Sequence, residues 1–165
     1  MASFEIHGPF NLNFEKRKGG RTLIFNEFWS GEASYLCEER GCYVFAIRNK
    51  ALTPIYVGKA TKSFFQETFN ASNKHKYQNG FSLYGKGAPI MYFVVHPKQK
   101  GKTNSKQIGE IEDFLIQAGV AKNPGIQNVK GAQAPSWGIT GVIRGGAGKP
   151  NKPETDFANL FDIRH

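Results

Sequence analysis

Two apolar runs separated by a polar turn organise the middle of the chain. Residues 42–47 read Cys-Tyr-Val-Phe-Ala-Ile and residues 55–57 read Ile-Tyr-Val, with Arg48-Asn49-Lys50 between them and Ala51 to Pro54 leading into the second run. Short apolar runs rich in β-branched and aromatic residues and bounded by turn signals read as buried strands, so this stretch predicts a hairpin. A further strand is expected at 90–95 (Ile-Met-Tyr-Phe-Val-Val), introduced by Pro89. Near the start, Phe4, Ile6, Phe10, Leu12 and Phe14 interleave with polar residues over 1–15, a period-two pattern that suits an early strand or clasp.

Helical spacing is clearest in the second half. Ile108, Ile111, Leu115 and Ala118 recur three and four residues apart, after Asn104 or Ser105 as the opening residue and before an Ala118-Gly119 stop. That stripe predicts a core-facing helix with Glu112 next to it and Glu110 and Asp113 in other sectors. Thr61 or Ser63 caps an expected helix running to about Asn70, with Phe64, Phe65 and Phe69 on its buried side. Residues 32–40 and 157–163 suggest short helices, and 22–29 are apolar enough to pack. Residues 71–88 are polar and glycine-rich and read as a long loop containing Lys74-His75-Lys76-Tyr77. From 125 to 153 glycine and proline dominate, with Trp137, Ile139, Val142 and Ile143 as packing anchors. The order hairpin, helix, strand, helix predicts an α/β chain of the α+β type, a small antiparallel sheet flanked by helices.

Composition narrows the function classes. At 165 residues the chain fits one domain, 1–165, and its 14 phenylalanines predict an aromatic-rich core. The formal charge of +9 favours polyanionic partners through attraction and counterion release, with nucleic acid first among them. No apolar stretch approaches the roughly 18 residues of a membrane span, and the opening residues lack a basic region followed by an apolar run, so no membrane and no secretory signal are expected. Cys37 and Cys42 read as free thiols of a reducing, cytoplasmic compartment, without the companions a zinc site needs.

Two basic segments are candidates for phosphate contact: Lys16, Arg17, Lys18 and Arg21 in one, and Lys98, Lys100, Lys102 and Lys106 in the other. A solvated basic loop is the competing reading of each. Neither Gly145-Gly146-Ala147-Gly148-Lys149 nor Gly101-Lys102-Thr103 has the spacing of a nucleotide-binding loop, which argues against nucleotide hydrolysis.

Gly41-Cys42-Tyr43, Tyr56-Val57-Gly58-Lys59 and a later helix bearing Glu112 in Glu-Asp-Phe-Leu-Ile together resemble the GIY-YIG nuclease domain over about residues 40–128. The Tyr-Val-Gly-Lys-Ala segment is most similar in wording to the nuclease domain of the bacterial excision-repair protein UvrC. The resemblance implies a GIY-YIG-like fold: a three-stranded antiparallel sheet with flanking helices, here with N-terminal additions and a glycine-rich C-terminal extension of about 125–165. It implies a hydrolase, a metal-dependent endonuclease acting on DNA in preference to RNA. Tyr43 and Tyr56 match the motif tyrosines, Lys59 a lysine near the scissile phosphate, and Glu112 the glutamate that holds one Mg2+ or Mn2+. Asn128 is a possible match to an asparagine after the glutamate helix, with Asn123 in competition.

One position departs from the pattern. The family arginine falls at Gln66, and no arginine occurs between Arg48 and Arg144. A neutral amide cannot offset charge developing on a phosphoryl transition state. Lys62, Lys74, His75 and Arg144 are the candidate substitutes. The alternative function is therefore a catalytically inactive nucleic-acid-binding module, with a protein-interaction domain as a third reading. DNA specificity would come from loops, from a protein partner or from a homo-oligomer, and a DNA-cutting enzyme would be nucleoid-associated.

Overall fold

The computed structural model describes residues 3–97, 102–128, 130–131, 137–145 and 148–163. The chain divides into two compact units, Met1–Ala132 and Gln133–His165.

In the first unit, β1 (Glu5–Asn11), β2 (Asn13–Arg17) and β3 (Gly20–Ile24) precede β4 (Gly41–Arg48) and β5 (Leu52–Ala60). The short helix α1 (Phe64–Glu67) and α2 (Ala71–Ser82) follow, then β6 (Ala88–Val95) and α3 (Ser105–Lys122). Strands pair in the order β1-β6-β4-β5, each neighbouring pair antiparallel, while β2 and β3 form a separate hairpin. The three-stranded sheet expected from the resemblance is thus corrected to four strands plus a two-stranded ribbon. The cause lies in the alternating N-terminal segment: Glu5 to Asn11 pair along β6, which would otherwise present an open edge.

The β4–β5 register builds the wall of the candidate site. Tyr43 stands opposite Gly58 and Phe45 opposite Tyr56, with a bulge where Phe45 and Ala46 meet Tyr56 and Pro54. The bulge leaves Ile55 unmatched, so Ile55 and Tyr56 both enter the larger core with Tyr43, Phe45, Phe64, Tyr77, Phe81 and Phe93. Val57, with Ile116, Val120 and Ile126, belongs to a second cluster against α3. Gly58 is required here: an added Cβ would collide with the ring of Tyr43.

Residues 71–88, expected as a loop, contain the twelve-residue helix α2. Asn70 caps it by accepting from the amide of Asn73, and its buried positions are Asn73, Tyr77, Gly80 and Phe81. Two of those four are not hydrophobic, which hides the helical period from a hydropathy reading. Close approach replaces greasy contact: a Cβ at Gly80 would lie 2.0 Å from Cγ2 of Ile55.

Helix α3 also departs from its expected stripe. Ile108, Ile116, Gly119 and Val120 are buried, whereas Ala118 is exposed and the helix continues to Lys122. Glu112 therefore lies in line with Ile108 and Ile116, one turn from each, rather than beside the buried face. Phe65 is likewise exposed, leaving Phe64 as the buried anchor of α1.

In the second unit, β7 (Ile139–Thr140) and β8 (Arg144–Gly145) pair in parallel. The helix α4 (Lys152–Leu160) opens five residues before the segment expected at 157–163. Asn151 and Glu154 form a capping box, which starts the helix there. Among the described residues no helix is long and apolar enough to cross a membrane.

Candidate functional site

The candidate site straddles β5, the edge strand of the sheet. Alternation sends Tyr56 toward α2 and Lys59 toward α3. The Nζ of Lys59 lies 2.7 Å from Oε2 of Glu112, whose side chain is only 17% exposed against 45% for the lysine. An inward glutamate on a helix needs such a partner, because an unpaired carboxylate facing the core is costly. The hydrogen bond to Glu112 is the main cause that raises the Lys59 pKa above its ordinary value, opposed by partial desolvation.

The tyrosines form an aromatic wall. The rings of Tyr43 and Tyr56 lie 6.5 Å apart, and Tyr77 packs edge-on to Tyr56 at 5.5 Å. Their environments differ. Tyr43 OH accepts from Asn73 Nδ2 at 2.7 Å and contacts the carbonyl of Glu67 at 3.4 Å. Tyr77 OH donates to the carbonyl of Thr68 at 2.8 Å. Tyr56 OH has no hydrogen-bond partner among the described residues, yet it is not one of the sealed unpartnered atoms, which are Trp29 Nε1 and Thr68 Oγ1. It therefore keeps some contact with solvent, although the residue as a whole is only 8% exposed.

Burial raises the Tyr43 phenol well above its ordinary value, aided by the Tyr56 charge and opposed by the Asn73 hydrogen bond. Burial also raises Tyr56, and the Glu112 carboxylate is near enough to push it further up. Cys42, on the α3 side of β4, is pushed up to about 12 by burial and then by Glu112, and its thiol contacts the carbonyl of Ile108 at 3.3 Å.

No protein-family model, curated protein or solved structure matches this chain. What the site can do follows from its own geometry. Tyr43, Tyr56 and Lys59 lie on the paired strands β4 and β5, and each is within electrostatic reach of Glu112. Among the described residues no three of His, Cys, Asp or Glu come together as a metal-binding group. Glu112 is the one sequence-predicted metal ligand. A single carboxylate fits the donor set of Mg2+, which keeps several waters and takes phosphate oxygens as ligands.

The remaining candidates separate. Gln66 is exposed on α1, with its backbone N–H donating to Ser63 Oγ as part of the helix cap. Lys62 is exposed, and its backbone amide and carbonyl bond Glu67 Oε2 and Arg40 Nε. Lys74 is exposed with its Nζ 5.6 Å from the Phe25 ring centroid, and His75 is exposed on α2. Asn128 makes a two-point clamp on Val57, accepting from its amide at 2.9 Å and donating to its carbonyl at 2.7 Å. Asn123 donates to the carbonyl of Pro54 at 2.8 Å. Both asparagines hold β5 from its free side. Arg144 lies on β8 in the second unit, and its side chain is outside the described residues.

Of the basic segments, Lys98 and Lys100 lie outside the described residues. Lys102 is exposed, and Lys106 is exposed with its Nζ 3.9 Å from Glu110 Oε1. Lys16, Arg17 and Lys18 project from the β2–β3 ribbon, where Arg17 pairs with Glu15. Arg21 is committed to packing: its guanidinium stacks 4.0 Å from the Phe81 ring centroid and donates to the carbonyls of Gly87 and Tyr84. The ribbon and the end of α2 enclose a cleft of about 430 Å³ lined by Arg17, Lys18, Arg21 and Ser82.

Sequence reasoning missed two α2 residues. Asn73 bonds Tyr43, and the ammonium of Lys76 lies 4.9 Å from the centroid of the Tyr56 ring. The available signal was Asn70 as a cap followed by Asn73, Lys76, Tyr77 and Phe81 at spacings of three and four.

Proposed function

We propose that the chain is a metal-dependent endonuclease that hydrolyses nucleic-acid phosphodiesters, with DNA as the preferred substrate. The observation that carries this reading is the inward Glu112 held by Lys59 behind a strand whose other face presents Tyr56. Glu112 would hold one Mg2+ or Mn2+, which would polarise the phosphate and steady the leaving oxygen. Tyr56, in its phenolate form, would orient the attacking water and accept its proton. Tyr43, tied to Asn73, positions rather than reacts. Water oxygen adds to phosphorus and the P–O ester bond breaks, leaving a phosphate monoester and an alcohol that takes up a proton.

Lys59 is poised to exchange one partner for another. Its ammonium neutralises Glu112 at rest and would reach a phosphate oxygen once the cation takes over the carboxylate. The exposed lysines at 102 and 106 and the ribbon residues Lys16, Arg17 and Lys18 would carry the flanking backbone by charge. Such a protein would work in the cytoplasm, at the nucleoid.

Cleavage of duplex, branched and single-stranded substrates with Mg2+ or Mn2+ tests the reading. Metal-dependent cutting should appear and should nearly vanish in Glu112→Gln while the melting profile stays cooperative. Clean protein that cuts none of these substrates with either metal refutes it. Salt-sensitive DNA binding without cutting would instead favour a silent binding module.

A further inference from the structure

We infer that Lys76 supplies the catalytic cation absent at Gln66, contacting a non-bridging oxygen of the scissile phosphate. This inference rests on the nuclease reading for its consequence but not for its geometry. Asn73, Lys76 and Tyr77 fall within little more than one helical turn, so one sector of α2 faces the tyrosine wall. Asn73 fixes Tyr43, Tyr77 packs on Phe45 and Tyr56, and Lys76 spans the Tyr56 ring.

Lys62 is exposed with only its backbone engaged, and the other positive groups nearby have partners. Lys59 is bound to Glu112, Lys74 lies over Phe25, Arg40 bonds Lys62 and Thr103, and Arg21 is stacked on Phe81. Lys76 is half-buried and has no carboxylate partner among the described residues. Its aliphatic stem can stay on the wall while the ammonium turns to an anion beside the Tyr56 hydroxyl. On the α2 side of the wall, Lys76 would balance the charge that a phosphate gathers as water attacks, alongside Lys59 on the α3 side once its carboxylate partner is taken.

The position of α2 is as constrained as the position of an active-site residue should be. Gly80 seats against Ile55 on β5, one turn beyond Lys76, and Asn70 fixes the first turn. The cation therefore comes from a helix docked on the motif strand, rather than from α1, where Gln66 faces solvent.

Lys76→Met, which keeps the stem, and Lys76→Arg, which keeps the charge, test the assignment by two readouts. In single-turnover cleavage with Mg2+ or Mn2+, Lys76→Met should slow the reaction by roughly 10²-fold or more, and Lys76→Arg should recover most of the loss. On a Glu112→Gln background, where cutting is blocked, binding of a DNA duplex is followed against salt. There Lys76→Met should lower the slope of log affinity against log salt by about one. A Met variant that cuts within about threefold of the parent with an unchanged slope overturns the role of Lys76 and leaves the nuclease standing. A reduced slope in a protein that never cuts removes the nuclease and retains the phosphate contact. Absence of both cutting and salt-dependent binding overturns both.

Discussion

Gly80→Ala is the substitution that most directly tests how the site is assembled. In an exposed helix interior this change would stabilise, because alanine gains about 1 kcal/mol over glycine in helix propensity. Here the new methyl would sit 2.0 Å from Ile55 Cγ2 and 3.2 Å from Gln127 Cγ. Carbon atoms pack at about 3.5–4.0 Å, so α2 must move away from β5 by roughly 1.5 Å. Ile55 cannot yield easily: it is 1% exposed, and the clashing carbon is a branch on its Cβ rather than a flexible tip. Overpacking of this kind costs about 1–3 kcal/mol, and the rigid partner places it near the upper end. Subtracting the propensity gain leaves a net loss of about 2 kcal/mol. For a chain of this size that corresponds to a fall of about 4–8 °C in Tm.

Calorimetry or circular-dichroism melts read that shift, and a double-mutant cycle isolates its cause. Ile55→Ala alone should destabilise by about 2–5 kcal/mol through the cavity it leaves. Adding Gly80→Ala to it should then be neutral or stabilising, because the new methyl enters vacated space. The coupling energy should exceed about 1 kcal/mol. Gly80→Ala that raises Tm in the parent protein, or the same effect in both backgrounds, would refute the seating of α2 on Ile55.

Four further expectations concern the site itself. Asn128→Ala removes both bonds to Val57 and should cost about 1–3 kcal/mol by chemical denaturation; a loss under about 0.3 kcal/mol would show that the clamp is dispensable. Tyr43→Phe should cost about 1 kcal/mol of stability through the lost Asn73 contact, whereas Tyr56→Phe should leave the melt unchanged and remove most cleavage. Because burial and Glu112 hold the Tyr56 phenol above its ordinary value, its phenolate fraction grows with pH, and the rate should climb up to about tenfold per unit through neutrality. A Tyr56→Phe protein that keeps both the rate and that slope would exclude Tyr56 as the base. Finally, Lys59 titrates higher when folded than when unfolded, so its stabilising pair with Glu112 is fully present below the ordinary lysine value and is lost as pH rises through the folded value. The Tm difference between the parent and Glu112→Gln should therefore persist from neutral to mildly alkaline pH and shrink only beyond the lysine range; a difference already absent at neutral pH would contradict this.

The hairpin was legible because its residues sort by simple hydropathy: two apolar runs, a polar turn and glycines where backbones approach. Glu112 was legible as part of a motif but misplaced on its helix, since a stripe drawn from apolar residues alone runs through Ala118 and passes beside the glutamate. The true buried line, Ile108–Glu112–Ile116, contains a charge that only the distant Lys59 makes tolerable. Helix α2 was illegible for a related reason. Its inner face uses an amide that bonds a tyrosine and a glycine that admits a neighbouring strand, and neither registers as hydrophobic. Because that helix read as a loop, Lys76 could not be assigned a direction. The fourth strand was visible as alternation near the N-terminus, but its pairing with β6 spans some eighty residues and has no local signature.

Asn123, Gln127 and Asn128 give β5 a boundary made of single hydrogen-bonding groups. The carbonyls of Pro54 and Ile55 and both backbone groups of Val57 are taken by two asparagine side chains and one amide. An edge strand left bare is a template for another chain's strand, and this one carries Tyr56 between the residues such a strand would engage. Two side-chain amides thus prevent strand addition without adding a strand of their own. The candidate site lies at the rim of a sheet whose outward backbone groups at Pro54, Ile55 and Val57 are already occupied.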